Sequence, residues 1–169
     1  MLFLSAGLEY KSVVICPLVL VTIGIGGSCS SIIKGDNITH PHKGHKIPIK
    51  DYHTCNSDFV IYALKCPCGK MYIGQTTRQV KIRIREHKYS ISNFDPQNKK
   101  THTPVGEHFY SNKHNAATLK WLVLEKIHAP QRGGDRKRLL LQTEARWIHR
   151  VDTVEPRGMN EAMSYKCFL

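Results

Sequence analysis

Acidic side chains are scarce in this chain of 169 residues: 13 Asp and Glu face 25 Lys and Arg, leaving a formal charge of +12 and a sequence pI of about 9.6. That balance suits a polyanionic partner, and a merely soluble basic surface would show it too. Long apolar runs are also missing. The most apolar stretch, Val13 to Ile25, has 13 residues and is broken by Pro17 and Gly24, where a membrane-spanning helix needs about 20. With 41% hydrophobic and 22% charged residues, the chain is too apolar for a disordered tail and too polar for a multi-span membrane protein. A regular cysteine framework is absent as well. Cys16, Cys29, Cys55, Cys66, Cys68 and Cys167 are scattered, which fits a reducing compartment better than a secreted disulfide scaffold.

What is present is unevenly spread. Residues 1–58 carry five basic and four acidic side chains, and residues 59–169 carry twenty and nine, so the positive field belongs to the second part. Three stretches follow: an apolar leader over 1–28, an approach segment rich in His and Lys over 29–58, and a folded domain over 59–169. The leader has the outline of a signal peptide, yet its first residues are apolar and include Glu9. Signal, anchor and unrelated leader all stay open. The run His40-Pro41-His42-Lys43-Gly44-His45 holds no period of 3.6 or 2, so the approach segment reads as loop. Cys29, His40, His42, His45, His53 and Cys55 within it match no common zinc spacing.

From Phe59 onward the pattern sharpens. Phe59 to Leu64 is a β-branched and aromatic run, hence a central strand, and Met71 to Gly74 is a second strand joined to it by the turn Cys66-Pro67-Cys68-Gly69. Val80, Ile84, His87 and Ile91 recur at helical spacing, predicting a helix of about four turns. Thr103 followed by Pro104 caps a short helix running to about Tyr110. Leu119 to Lys126 reads as a third strand, and Asp135 caps a last helix that buries Leu140, Ile148 and Val151. The fold class is α+β, a small three-stranded antiparallel sheet flanked by helices.

Val60-Ile61-Tyr62 followed by Met71-Tyr72-Ile73-Gly74 resembles the paired motifs of the GIY-YIG nuclease superfamily. Arg83-Ile84-Arg85-Glu86-His87 is similar to that family's Arg-x-x-x-His, Glu144-Ala145-Arg146-Trp147-Ile148 to its metal-binding Glu before Trp-Ile, and Gly158-Met159-Asn160 to its closing Gly-x-Asn. Val60 departs, standing where the family usually has Gly. Cys66, Cys68, His108 and His114 resemble the Cys-Cys-His-His feature of the endonuclease domain in Penelope-like retroelements, as does the upstream segment from about residue 29. Two thiolates and two imidazoles are also, on chemistry alone, the usual tetrahedral zinc set. Such a closed site leaves no open position and would be structural.

The resemblance implies a metal-dependent DNA endonuclease working on nuclear DNA. A catalytically inactive, zinc-stabilised nucleic-acid-binding module and a secreted or membrane-attached basic protein are the alternatives. In the first reading Glu144 would hold one Mg²⁺ or Mn²⁺ and Arg83 would fork the non-bridging phosphate oxygens. Tyr62 would orient or deprotonate the attacking water, with Tyr72 hydrogen-bonding near it. A phenol titrates near 10, so Tyr62 serves as base only if positive charge lowers that value. His87 would assist the water or orient Tyr62, and Asn160 would position the site. Lys81, Arg85, Lys88, Arg136, Lys137 and Arg138 would track the DNA backbone.

Overall fold

Of the two faces of a strand, one is usually left to solvent; the central strand here has both faces covered, and the rest of the fold follows from that. A computed structural model describes residues 31–49, 51–98, 102–131 and 133–162. The leader, together with Cys16, Cys29 and Cys167, lies outside the described residues. Two short strands, β1 (Asn37–Thr39) and β2 (Lys46–Pro48), come first. They are followed by β3 (Val60–Lys65), β4 (Met71–Thr76), α1 (Val80–Ser92), α2 (Pro104–Ser111), a 3-10 turn (Ala116–Thr118), β5 (Lys120–Lys126) and α3 (Arg136–Val151). The main sheet is antiparallel in the order β4-β3-β5, so the architecture is the α+β arrangement expected.

Val60, Tyr62, Leu64 and Cys66 face one core with Val80 and Ile84 of α1 and Val105 and Phe109 of α2. Ile61 and Ala63 face a second core with Leu140, Trp147, Ile148 and Val151 of α3. A near-continuous apolar run is what burial on both faces demands. The four residues that set the period of α1, Val80, Ile84, His87 and Ile91, are its buried residues. Thr103 caps α2, its side chain accepting from Gly106 N at 3.1 Å, with Pro104 in the first turn. Asp135 caps α3, accepting from Lys137 N at 2.8 Å.

The approach segment is not simply loop. Asn37 to Thr39 pairs antiparallel with Pro48 to Lys46, and Ile38, Ile47 and Ile49 are buried in the α3-side core. Each strand contributes so few apolar residues that no period emerges from a sequence window. Upstream, Ile32 bridges Trp121 in parallel, tying the segment to the start of β5. Ile47 is fully buried, so Ile47→Ala should lower the unfolding free energy by about 2–5 kcal/mol in a urea melt. A loss under about 0.5 kcal/mol would mean that the hairpin does not share the core.

Candidate functional site

Cross-strand register brings the two phenols together. Tyr62 of β3 lies opposite Gly74 of β4, and Leu64 opposite Tyr72. A Cβ on Gly74 would sit 2.6 Å from Tyr62 Oη and 2.8 Å from Tyr72 Cε1; with no side chain there, both rings fit over the strand. Val60, the departure from the resembled pattern, is fully buried on the same face as Tyr62, so its methyls act as packing.

Arg83 and His87, one turn apart on α1, meet Tyr62 from above. Tyr62 Oη lies 2.7 Å from His87 Nε2, and Arg83 Nε donates to Tyr62 Oη at 3.3 Å. The imidazole stands edge-on to both phenols, with ring centroids 5.7 Å from Tyr62 and 5.6 Å from Tyr72. Burial, helped by the Arg83 charge, pushes the His87 pKa down to about 3. Burial also drives the Tyr62 phenol well above its ordinary value, outweighing the downward pull of Arg83. The pair is therefore neutral and shares one hydrogen bond. This corrects the condition set for Tyr62 as a base: the positive charge is present, but desolvation wins, and the phenol is fully buried.

Glu144 and Asn160 both bond to the outer edge of β4. Asn160 Oδ1 accepts from Ile73 N at 2.9 Å while its Nδ2 donates to Ile73 O at 2.8 Å. The Glu144 carboxylate accepts from the backbone N–H of Gln75, and Met159 N donates to Met71 O at 2.9 Å. Burial raises the Glu144 pKa to about 7 against the opposing pull of Arg83. Its charge acts on both phenols, adding to the upward push of burial on Tyr62 and Tyr72. Asn160, itself buried, is an edge cap. Gly158, two residues earlier, has no room for a Cβ against the Thr153 carbonyl, which fixes how the chain turns back to β4.

A cleft of about 260 Å³ opens beside these groups, with Tyr72, Arg83, Glu86, His87, Thr103 and Pro104 among its walls. Neither Tyr62 nor Glu144 lines it. Glu86 was not singled out from the sequence, although its place three residues after Arg83 is the signal for a helical ion pair. It accepts from Arg83 Nη1 and Arg78 Nη2, both at 3.0 Å. Burial pushes its carboxyl up, but these two hydrogen bonds outweigh it and hold the pKa below the usual value.

Cys66, Cys68, His108 and His114 form a second cluster, their donor atoms all within 4.8 Å of one another. His108 Nε2 is 3.2 Å from each sulfur. The hairpin turn closes tightly, Gly69 N bonding to Cys66 O at 3.0 Å, which lets thiols one residue apart aim at one point. Burial pushes the Cys66 thiol up to about 12, and His114 Nε2 is buried without a hydrogen-bond partner. A cation would answer both, so the four residues could hold a metal ion such as zinc.

The basic residues expected on DNA divide. Arg85, Lys137 and Arg138 are exposed. Lys81 Nζ donates to Asn56 Oδ1 at 2.7 Å and Lys88 Nζ to Ser31 Oγ at 2.9 Å. Arg136 is built into the fold: Nε donates to Ile127 O at 2.9 Å, and the guanidinium lies 3.6 Å over the Phe59 ring. Among the described residues no helix is long and apolar enough to cross a membrane. No protein-family model, curated protein or solved structure matches the chain.

The raised Glu144 pKa has a sign that can be checked. A carboxyl that keeps its proton to about 7 when folded, but loses it near the ordinary carboxylate value when unfolded, stabilises the fold at low pH. That contribution is lost as pH rises through about 7. Without added divalent ion, Glu144→Gln should therefore gain about 1–2 kcal/mol over the parent at pH 8 relative to pH 4, partial exposure discounting the full shift. Denaturant melts at both pH values measure it; no pH-dependent gain would place the carboxylate in water.

Proposed function

We propose that this chain is a metal-dependent endonuclease that hydrolyses phosphodiester bonds in DNA, with a structural zinc on Cys66, Cys68, His108 and His114. The observation that carries the reading is the meeting of two phenols, a guanidinium and an imidazole from β3, β4 and α1, with the Glu144 carboxylate of α3 bonded to the outer edge of β4. Its resemblance to the GIY-YIG pattern and to the Penelope-like endonuclease domain supports the same reading and a nuclear place of work.

Arg83 is the phosphate-binding group. Of its five N–H bonds, one serves Tyr62 and one Glu86, which leaves three for non-bridging oxygens. Glu86 and Tyr62 hold the fork in place, so little orientation is lost when phosphate arrives. The neutral Tyr62–His87 pair positions Arg83 and does not titrate across ordinary pH. Tyr72, in the cleft wall, aligns the water. Glu144 suits a divalent cation: it is a desolvated carboxylate short of positive charge, because Arg83 is already engaged by Glu86. One protein carboxylate with phosphate oxygens and waters is an ordinary Mg²⁺ donor set. Bound there, Mg²⁺ or Mn²⁺ would neutralise charge at the scissile phosphate and make water easier to deprotonate.

A second reading, a zinc-stabilised nucleic-acid-binding module without activity, is favoured by one observation: Tyr62 is sealed from solvent. The two separate in a plasmid assay. With Mg²⁺ or Mn²⁺ the full chain should convert supercoiled plasmid to nicked or linear DNA, and Glu144→Gln and Arg83→Ala should each slow this by about 100-fold or more. Folded protein that binds the plasmid and leaves it intact would establish the second reading.

The metal cluster has its own test. Elemental analysis should find one zinc per chain, lost in Cys68→Ser and His114→Ala. Free zinc at a thousand-fold excess over its Kd should raise stability by about 4 kcal/mol. Protein that is equally stable with and without zinc would leave the cluster as four unligated side chains.

A further inference from the structure

The cations expected to meet DNA are partly occupied within the fold, and another exposed pair lies elsewhere. Lys65 ends β3 and Lys120 begins β5, and the two are direct cross-strand partners. Like charges placed opposite each other on neighbouring strands repel. Both side chains are exposed, and among the described residues neither has a carboxylate partner. They flank a groove of about 630 Å³ whose remaining walls are Ile33, Cys66, Pro67, Ala117 and Thr118. No acidic residue lines it among the described residues. The Ile33 wall is tied to β5 through the backbone: Ile33 N donates to Trp121 O at 2.8 Å, and Trp121 N to Ser31 O at 3.0 Å. Cys66 carries one wall into the metal cluster.

We infer that this groove is a second DNA-contact site, in which the Lys65 and Lys120 ammonium groups bind backbone phosphates. The inference rests on the DNA reading above and adds a place where the duplex is gripped. Phosphate relieves the lysine–lysine repulsion, and the apolar floor of Ile33, Pro67 and Ala117 accepts the sugar edge. The two lysines project on the sheet face opposite Tyr62, so the groove sits outside the reacting groups.

Binding of the full chain to a 30-base-pair duplex, with Ca²⁺ replacing Mg²⁺ and no chelator so that zinc is retained, tests this. Each lost phosphate contact should lower the slope of log affinity against log salt by about 0.9. Lys65→Gln/Lys120→Gln should therefore flatten the slope by nearly two units and weaken binding about tenfold or more at moderate salt. The control Lys43→Gln/Lys46→Gln removes the same charge from the exposed side chains of the β1–β2 hairpin and should leave the slope as it was. A groove variant that matches the parent, or a control that loses as much, overturns the groove. If the parent itself does not bind duplex at any salt, the DNA reading falls and the groove with it.

Discussion

An open sheet edge must have its outward N–H and C=O groups answered, and the outer edge of β4 sets where the candidate site can be. Alternate residues of that strand, Met71, Ile73 and Gln75, present their backbone outward. They are met in turn by Met159 N, the Asn160 amide and the Glu144 carboxylate. Covering an edge in this way protects it from pairing with another chain. Here it also holds a carboxylate from a helix packed on one face of the sheet at the strand that carries Tyr72. Glu144 thus depends on a backbone demand as much as on its own helix, and the same demand explains why Asn160, far along the chain, is buried rather than reactive.

On the other face, the controlling quantity is desolvation. Tyr62 and His87 are both buried and share one short hydrogen bond, and burial pushes each toward its neutral form. Two groups that would ordinarily be considered for proton transfer are thereby locked as a donor and an acceptor. The one full charge beside them, Arg83, is stabilised by what surrounds it: Tyr62 Oη and the Glu86 carboxylate. The arrangement is a preorganised cation in a low-dielectric wall, which is worth more to a developing anion than the same charge in water.

How much of this was legible along the chain depended on the length of each signal. α1 announced its buried face through Val80, Ile84, His87 and Ile91 because four turns repeat the pattern often enough to see. Thr103-Pro104 and Asp135 announced helix starts because a cap is a local, chemical signature. The β1–β2 hairpin did not announce itself, since Ile38, Ile47 and Ile49 are isolated among polar residues and become a face only when laid on α3. The site residues could be named in sequence, but not their state: nothing local to Tyr62 says that burial will outweigh Arg83. Arg136, one of a basic run, could not be told from its neighbours until Phe59 and Ile127 O were found beneath it.

The metal cluster and the cleft are two ends of one short element. α2 has eight residues, a span of about 12 Å. Its first turn, with Thr103, Pro104 and Val105, forms a wall of the cleft, and Thr103 Oγ1 donates to Ser90 Oγ of α1 at 3.3 Å. Its last turn carries His108 into the Cys66–Cys68 turn. A helix this short has little stability of its own, so its position is set by what grips its ends. The cap and the hydroxyl contact hold one end weakly; four converging donors around a cation would hold the other strongly. A structural ion at Cys66, Cys68, His108 and His114 would then shape the cleft without lining it, by fixing the wall that closes it alongside Tyr72, Arg83 and His87.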